Sequence, residues 1–371
     1  MFPDVPLWMM ILGFLLVLGP LVTVHELGHY LAGRLFGVKA DTFSIGFGKE
    51  LAGFTDRRGT RWKLSALPLG GFVQFAGDMN PASQPSEEWL TLPAEERNRT
   101  YQAKPLWQRA LIVFAGPATN LVVAILIFAG FAMAYGKPVT PPVIQVFSEE
   151  SAAMEAGLEL GDRIVAIDGA PIEDFEEVAG HVLPYPGQVI EVTFARDGVV
   201  DTVPVGIADL EMTDRFGNVS RIGRIGVGST EREYERLGPV AALGYGAEAS
   251  VNLVHMMVTG LGQIITGERS VKELGGPIKI AQYSGERLAL GPLPFIEFIA
   301  FISMNLAFIN LLPIPALDGG HLAFYAAEAI RRKPASARSQ EWAFRTGMAF
   351  VLGLMFFVTV NDIASLPIFD S

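Results

Sequence analysis

Four stretches of this chain are apolar throughout, without the polar alternation of a half-buried strand or a surface helix. Leu7–Val24, Ala110–Tyr135 and Phe298–Leu317 contain no charged residue, and Trp342–Asn361 contains only Arg345. Each is close to the ~20 residues a helix needs to cross a ~30 Å hydrocarbon layer. The pattern predicts four spanning helices, within residues 1–36, 107–136, 293–321 and 342–363. The first run has no basic segment ahead of it and no small-residue cleavage site behind it, so it reads as a span and not as a secretory leader. Val240–Thr266 is only moderately apolar, interrupted by Glu248, Asn252 and His255. It predicts an amphipathic helix on the outer membrane surface, in a linker of residues 208–292. A fifth crossing is the alternative.

Two segments between the spans carry strand patterns. Residues 37–106 hold Thr42–Phe47, Trp62–Ala66 and Leu67–Phe75, with Gly46, Gly48, Gly70 and Gly71 as turns or points of close approach. Beyond Ala76 this loop becomes polar and rich in Pro and Glu as far as Pro105, the composition of a mobile segment. Residues 139–207 predict a small β-rich domain. Its strands are expected at Val143–Phe147, Arg163–Asp168, Val189–Ala195 and Val199–Val205, and its helices at Ala152–Gly157 and Phe175–His181. Arg196-Asp197-Gly198 marks a tight turn between the last two strands. The run from Ala153 to Ile164, followed by Ile167-Asp168-Gly169, resembles the signature of PDZ domains of the bacterial protease type, and it occurs once. The expected fold is a multi-pass α-helical membrane protein with a cytoplasmic β-element and an inserted extracytoplasmic PDZ domain.

Charge orients this arrangement. The 371 residues carry a formal net charge of −11, which removes support for nucleic-acid binding. Arg34, Lys39, Arg99, Lys104 and Arg109 bracket the first loop, and Arg331, Arg332, Lys333 and Arg338 fill the loop of residues 322–341. Gly136–Pro292 holds 23 acidic and 12 basic residues, and neither terminus carries Lys or Arg. The positive-inside bias predicts both basic loops in the cytoplasm, with both termini and the acidic segment outside. Cysteine is absent, so disulfides, thiolate catalysis and Cys-based metal sites are excluded.

The candidate chemistry lies in the first span, at His25-Glu26-Leu27-Gly28-His29. Residues four apart share a helix face, so both imidazoles can reach one ion, and zinc is the usual occupant of this spacing. Glu26 is placed to take a proton from water held by that ion. Gly28 and Gly33 allow another helix to come close. The competing reading is a pair of satisfied core histidines, but two histidines and a glutamate inside a span are costly unless they serve a function. A catalytic zinc needs a third protein ligand. Asn310-Leu311-Leu312-Pro313-Ile314-Pro315-Ala316-Leu317-Asp318-Gly319-Gly320-His321 offers two, Asp318 and His321, with the prolines placing Asp318 in irregular backbone. As ordinary features, Asp318-Gly319 would be a turn and His321 an interfacial side chain.

Together with Gly116-Pro117-Ala118-Thr119-Asn120, Ser44–Gly48 and the loop around Leu69–Phe75, these motifs resemble the site-2 protease family of intramembrane zinc metalloproteases, in its bacterial RseP-type form. The resemblance runs over nearly the whole chain. It implies Zn2+ held by His25, His29 and Asp318, with Glu26 as general base. It also implies substrate contacts at Asn310 and along Gly70, Gly71, Phe72 and Val73, where an unwound substrate would be held extended. Asn120 reads as a contact between helices. The implied setting is the bacterial inner membrane, with the active site near the cytoplasmic side. The implied partners are the lipid bilayer, single-pass membrane proteins such as anti-sigma factors and remnant signal peptides, and peptide or chain-end ligands of the PDZ domain. The reaction would belong to regulated intramembrane proteolysis. The single PDZ domain departs from the best-known enterobacterial members, which carry two. A non-catalytic PDZ scaffold would have no need of Glu26, and a metal transporter would show internal repeats and further ionisable residues along its spans.

Overall fold

Leu7–Leu35 form one continuous helix, α1, whose first half leaves Leu7, Trp8, Ile11, Leu12, Leu15 and Leu16 exposed. An apolar exterior on a helix this long suits a lipid solvent, where the backbone is satisfied within the helix. The computed structural model describes residues 5–77, 93–213, 219–230, 233–267, 271, 275–333 and 336–364. These fall into two units, one of residues up to Phe128 with Gly246–Thr266 and Val271 onward, the other of Ala129–Tyr245 with Gly267.

After α1 come two long strands, β1 (Ala40–Thr55) and β2 (Arg61–Phe75), each bent so that its halves pair differently. Residues 50–55 pair with 61–65, residues 42–45 with 61–64, and residues 40–45 with 71–75. The resulting ribbon order leaves Gly71–Phe75 as an outer edge among the described residues. Gly46 takes φ +88°, a left-handed conformation, where β1 leaves one pairing for the other. Phe43 stacks on Trp62 at 4.3 Å, and Tyr30 of α1 meets both rings edge-on. Phe75 stacks on Tyr101 at 5.7 Å. Gly33 makes room for the Phe75 ring, so its close neighbour is a strand and not another helix. Gly28 does admit a helix, its Cα lying under the Ala115 carbonyl. A short α2 (Ala94–Arg97) precedes α3 (Leu106–Ala134). The segment expected to be mobile falls largely on residues 78–92, outside the described residues.

The second unit begins with β3 (Lys137–Val139), β4 (Val146–Phe147), α4 (Ala152–Glu155), β5 (Arg163–Ile167), β6 (Ala170–Pro171) and α5 (Phe175–Val182). It continues with β7 (Val189–Arg196), β8 (Val199–Gly206), β9 (Ala208–Thr213), β10 (Val219–Arg224), β11 (Val227–Gly228) and β12 (Glu233–Glu235). The main sheet is antiparallel in the order β6-β5-β7-β8. Ile144, Leu158, Ile164, Ile167, Val192 and Val205 form its core. Asp197 (φ +48°) and Gly198 (φ +82°) make the tight turn between β7 and β8. The strand expected at Val143–Phe147 is shorter, limited to Val146–Phe147, with Val143 only bridging Arg163 and the Ile144 N–H turned to the Asp162 carbonyl.

One ion pair ties this unit together. The buried Asp162 carboxylate accepts from Arg196 Nε and Nη2, both at 2.7 Å, and from the Glu159 N–H at 2.7 Å. The Arg196 hydrogen bonds hold this carboxyl below the usual range. Asp162→Ala is expected to destabilise the unit by about 2 kcal/mol, read as faster hydrogen exchange in β5 and β7. A lowered carboxyl pKa stabilises fully above the unfolded value of about 4, and this stabilisation is lost as pH falls through the lowered one. The difference between wild type and variant should therefore shrink below about pH 4.

Beyond this unit the chain continues as α6 (Pro239–Thr266), α7 (Pro277–Ala289), α8 (Pro292–Leu311), α9 (Asp318–Arg331) and α10 (Ala337–Ala364). Among the described residues, five helices are long and apolar enough to cross a membrane: α1, α3, α6, α8 and α10. Four spans were expected, and α6 passes by length and composition despite its three polar interruptions. Residues 208–292 were expected to form an outer linker and a surface helix, but α7 packs along α1, with Ser284 and Gly285 against Gly13 and Met10. Small residues permit that approach, while their polarity hid the helix from a hydropathy pattern. Asp362 of α10 accepts from the Gly276 and Lys279 N–H groups, both at 3.0 Å, and so caps α7. The third expected span is broken after Leu311. Pro313 and Pro315 interrupt it, and Asp318 opens α9 instead of lying in irregular backbone. Residues 322–341, expected as a loop, are mostly helix, divided between α9 and the start of α10.

Candidate metal centre

His25 and His29 lie one turn apart on α1, and the break before α9 brings Asp318 to the same point. His25 Nε2 and His29 Nε2 are 3.3 Å apart, and Asp318 Oδ2 lies 3.2 Å from the first and 3.5 Å from the second. Donors held tetrahedrally at ~2.0–2.1 Å from one ion would stand about 3.3 Å apart. Asp318 Oδ2 is buried and makes no hydrogen bond, as suits an oxygen aimed at a cation. Among the described residues this is the one group of three such side chains close enough to share an ion. His321 lies one turn further along α9 and outside that group. His181 and His255 also lie outside it.

Helix α3 supports the histidines from behind. The Ile112 carbonyl faces His29 Nδ1 at 2.8 Å. A carbonyl only accepts, so His29 donates to it from Nδ1, and in the neutral ring this leaves Nε2 as the metal-facing nitrogen. At Gly116 a side chain would overlap the His29 ring, so only a glycine lets α3 pass there. Asn120 is fully buried, with Nδ2 at 3.3 Å from His25 Nδ1, and its backbone carbonyl accepts from the Ser303 hydroxyl of α8 at 2.7 Å. Asn120 thus does join helices, as its sequence position suggested, and also touches a candidate ligand.

Glu26 is buried beside this group and lies next to the Val73 backbone N–H of β2. Gly71 stands directly over it, where a Cβ would meet Glu26 Cγ at 2.8 Å and the Ser44 carbonyl at 2.7 Å. The edge of β2 that includes Phe72 and Val73 therefore covers the glutamate, with Gly70 at its entry in a left-handed conformation (φ +139°). Asn310 sits half-buried in the last turn of α8, just before the break.

Several supports escaped the sequence reading. Gly319 and Gly320 tuck under the carbonyls of Leu311, Leu312 and Ile314, and Gly347 of α10 lies against Pro315. Arg109 Nη2 pairs with Glu328 Oε1 at 3.1 Å, and the Tyr101 and Tyr325 hydroxyls meet at 2.6 Å, fastening α9. Gly319-Gly320 beside the prolines was a legible signal. Ile112, Ser303 and Gly347 carry none, since their contribution is a backbone carbonyl, a hydroxyl or an absence of bulk.

Residues 13–354 match the model of peptidase family M50. A protein of Agrobacterium fabrum with the provisional name zinc metalloprotease is 45% identical over 361 residues, covering 96% of each chain. One of Rhizobium meliloti, similarly named, is 44% identical over 94% of this chain and 95% of its own. Metalloprotease MmpA of Caulobacter vibrioides is 35% identical over 97% of this chain and 96% of its own. Among solved structures, the PDZ domain of an SdrC-like protein from Listeria innocua is similar at 18% identity and a TM-score of 0.20, over 26% of this chain and 99% of that one.

Proposed function

Because the chain belongs to peptidase family M50, the site-2 protease family, and is a zinc metalloprotease, we propose that it cleaves single-pass membrane proteins within the bilayer. In this reading His25, His29 and Asp318 hold Zn2+, and Glu26 is the general base. The observation that carries the metal set is the triangle of donors 3.2, 3.3 and 3.5 Å apart around an unpartnered, buried Asp318 Oδ2. A non-catalytic scaffold would leave that oxygen without a purpose.

Zinc, when bound, supplies a Lewis acid that polarises the scissile carbonyl and acidifies water. Glu26 accepts the proton of the attacking water on its carboxylate and returns it to the departing amine nitrogen. Its burial under Gly71 limits competing water. A substrate helix bonds its own amides, so the scissile segment must unwind before it can react. The outer edge at Gly71–Phe75 offers backbone N–H and C=O groups to an extended strand, directly over Glu26. Gly70 and Gly71, with Phe72 and Val73, line the bound segment, and Asn310 donates to it from the opposite side.

The proposed topology keeps four crossings by α1, α3, α8 and α10, with α6 on the outer surface. α7 lies beside the first half of α1, and only two residues separate the end of α7 from the start of α8. If α6 crossed inward, the chain would have to return before α7, and no helix able to span lies between α6 and α7 among the described residues. Both termini and the β-rich unit are then extracytoplasmic, and the metal set is near the cytoplasmic face of the bacterial inner membrane. Anti-sigma factors and remnant signal peptides are the substrate classes in this reading, within regulated intramembrane proteolysis, and the PDZ domain takes extended peptide or chain ends.

The test uses full-length protein in detergent with a tagged single-pass substrate. Chelation should abolish cleavage, and one equivalent of Zn2+ should restore it. Cleavage that survives complete removal of metal would overturn the proposal.

A further inference from the structure

Where α1 ends, basic side chains from separate parts of the chain meet at one cavity. Arg34 from the last turn of α1, Lys39 just before β1, Arg58 between β1 and β2, and Arg99 after α2 line an open space of about 340 Å³, together with Gly37. The Lys39 N–H donates to the Arg99 carbonyl at 2.8 Å, which holds two of these segments together. Lys104 adds a further cation, its Nζ 3.8 Å from where a Gly37 Cβ would stand.

Little negative charge answers them. Lys39 Nζ pairs with Asp41 Oδ1 at 2.9 Å, an exposed contact of small worth. Asp56 lies within the field of Arg34, but its carboxylate already accepts from Trp62 Nε1 at 3.1 Å and from the Arg58 and Thr60 N–H groups at 2.8 and 2.9 Å. Arg34 Nη1 reaches only the Val38 carbonyl, at 3.5 Å. Among the described residues, the guanidinium groups of Arg58 and Arg99 have no hydrogen bond and no ion pair. Beside these charges the surface is apolar. Leu31 and Leu35 stand one turn apart on α1, 55% and 81% exposed, with Arg34 next to Leu31 at i and i+3. Trp107, exposed at the start of α3, meets Phe36 edge-on at 5.4 Å, as suits an interfacial aromatic. Snorkelling accounts for Arg34 at a helix end. It does not account for Arg58 and Arg99, which no span carries.

We propose that this cavity binds the phosphodiester headgroup of an anionic phospholipid, whose acyl chains lie along Leu31 and Leu35. A free phosphate would offer the cations the same charge but leave the leucines and Trp107 unused. One bound headgroup would tie the end of α1 to the β1–β2 ribbon, the two elements that supply His25, His29 and the strand over Glu26. The inference rests on α1 ending at a membrane face, as the proposed topology has it, and on neither zinc nor cleavage.

The test uses the full chain, stripped of lipid in zwitterionic detergent, and counts bound lipid by native mass spectrometry during titration. Dioleoylphosphatidylglycerol should bind with one equivalent tighter than the rest, and dioleoylphosphatidylcholine should show no such equivalent. Arg58→Gln with Arg99→Gln should melt with wild type, since both side chains are exposed, and weaken the tight equivalent about 30-fold, about fivefold for each cation. Arg58→Lys with Arg99→Lys keeps both charges and should bind far closer to wild type. Arg331→Gln with Arg332→Gln removes as much charge from the other basic segment and should leave the affinity unchanged. An equal loss in that control would reduce the cavity to diffuse surface charge and overturn the proposal, as would equal binding of the two lipids. Glycerol phosphate at millimolar concentration should fail to displace the lipid. Full displacement would mean that the cavity takes a soluble phosphate, and the lipid assignment would fall. Metal-dependent cleavage enters none of these readouts, so the protease reading fails or stands separately. A chain that stayed monodisperse without detergent would refute the span itself.

Discussion

Glu26→Gln should retain zinc and cut the rate of substrate cleavage by about 10³-fold. The amide has nearly the shape of the carboxylate, so packing beneath Gly71 and beside Val73 is kept. What it loses is the ability to accept a proton from water and deliver it to the leaving amine. Single-turnover cleavage of a tagged single-pass substrate, with zinc measured on the same preparation, separates loss of the base from loss of the metal. Unchanged cleavage with full zinc would remove Glu26 from the chemistry.

Asp318→Ala should have an effect as large on cleavage, through the metal. Two imidazoles one helical turn apart are an incomplete site, because catalytic zinc is ordinarily held by three protein ligands with one position open. Removing the carboxylate is expected to reduce zinc content from about one equivalent to under about a tenth at micromolar free zinc, with cleavage below detection. His321→Ala is the control. It lies outside the donor triangle and should keep its zinc. The opposite pattern, with zinc lost on changing His321 and kept on changing Asp318, would reassign the third ligand to the histidine that the sequence also allowed.

That choice shows where sequence reading stopped. The prolines at 313 and 315 foretold a broken helix, but whether Asp318 or His321 turned toward α1 depended on where the next helix began. Leu317 stands at the N-cap position of α9, Asp318 becomes its first residue, and the carboxylate faces the two histidines while His321 sits a turn beyond. The β-element was legible as strand-like runs, yet its double pairing was not. Only the bent register sets Gly71–Phe75 on the outside and Gly71 over Glu26. α7 was missed because its 13 residues are too polar on average for a span, and its packing face is made of Ser284 and Gly285.

By itself, the sequence determined what local periodicity and composition can carry. Long uncharged runs must be helices in lipid, His25 and His29 at i and i+4 must share a face, and Asp197-Gly198 must turn. These follow from backbone geometry and solvation within a few residues of chain. The tertiary structure decided what depends on residues far apart meeting. It brought the Asp318 carboxylate within 3.5 Å of both imidazoles, set the Ile112 carbonyl and the Asn120 carboxamide behind them, and laid β2 across Glu26. Hydrogen bonds and donor distances of this kind arise from packing between elements, and packing between elements has no period along the chain.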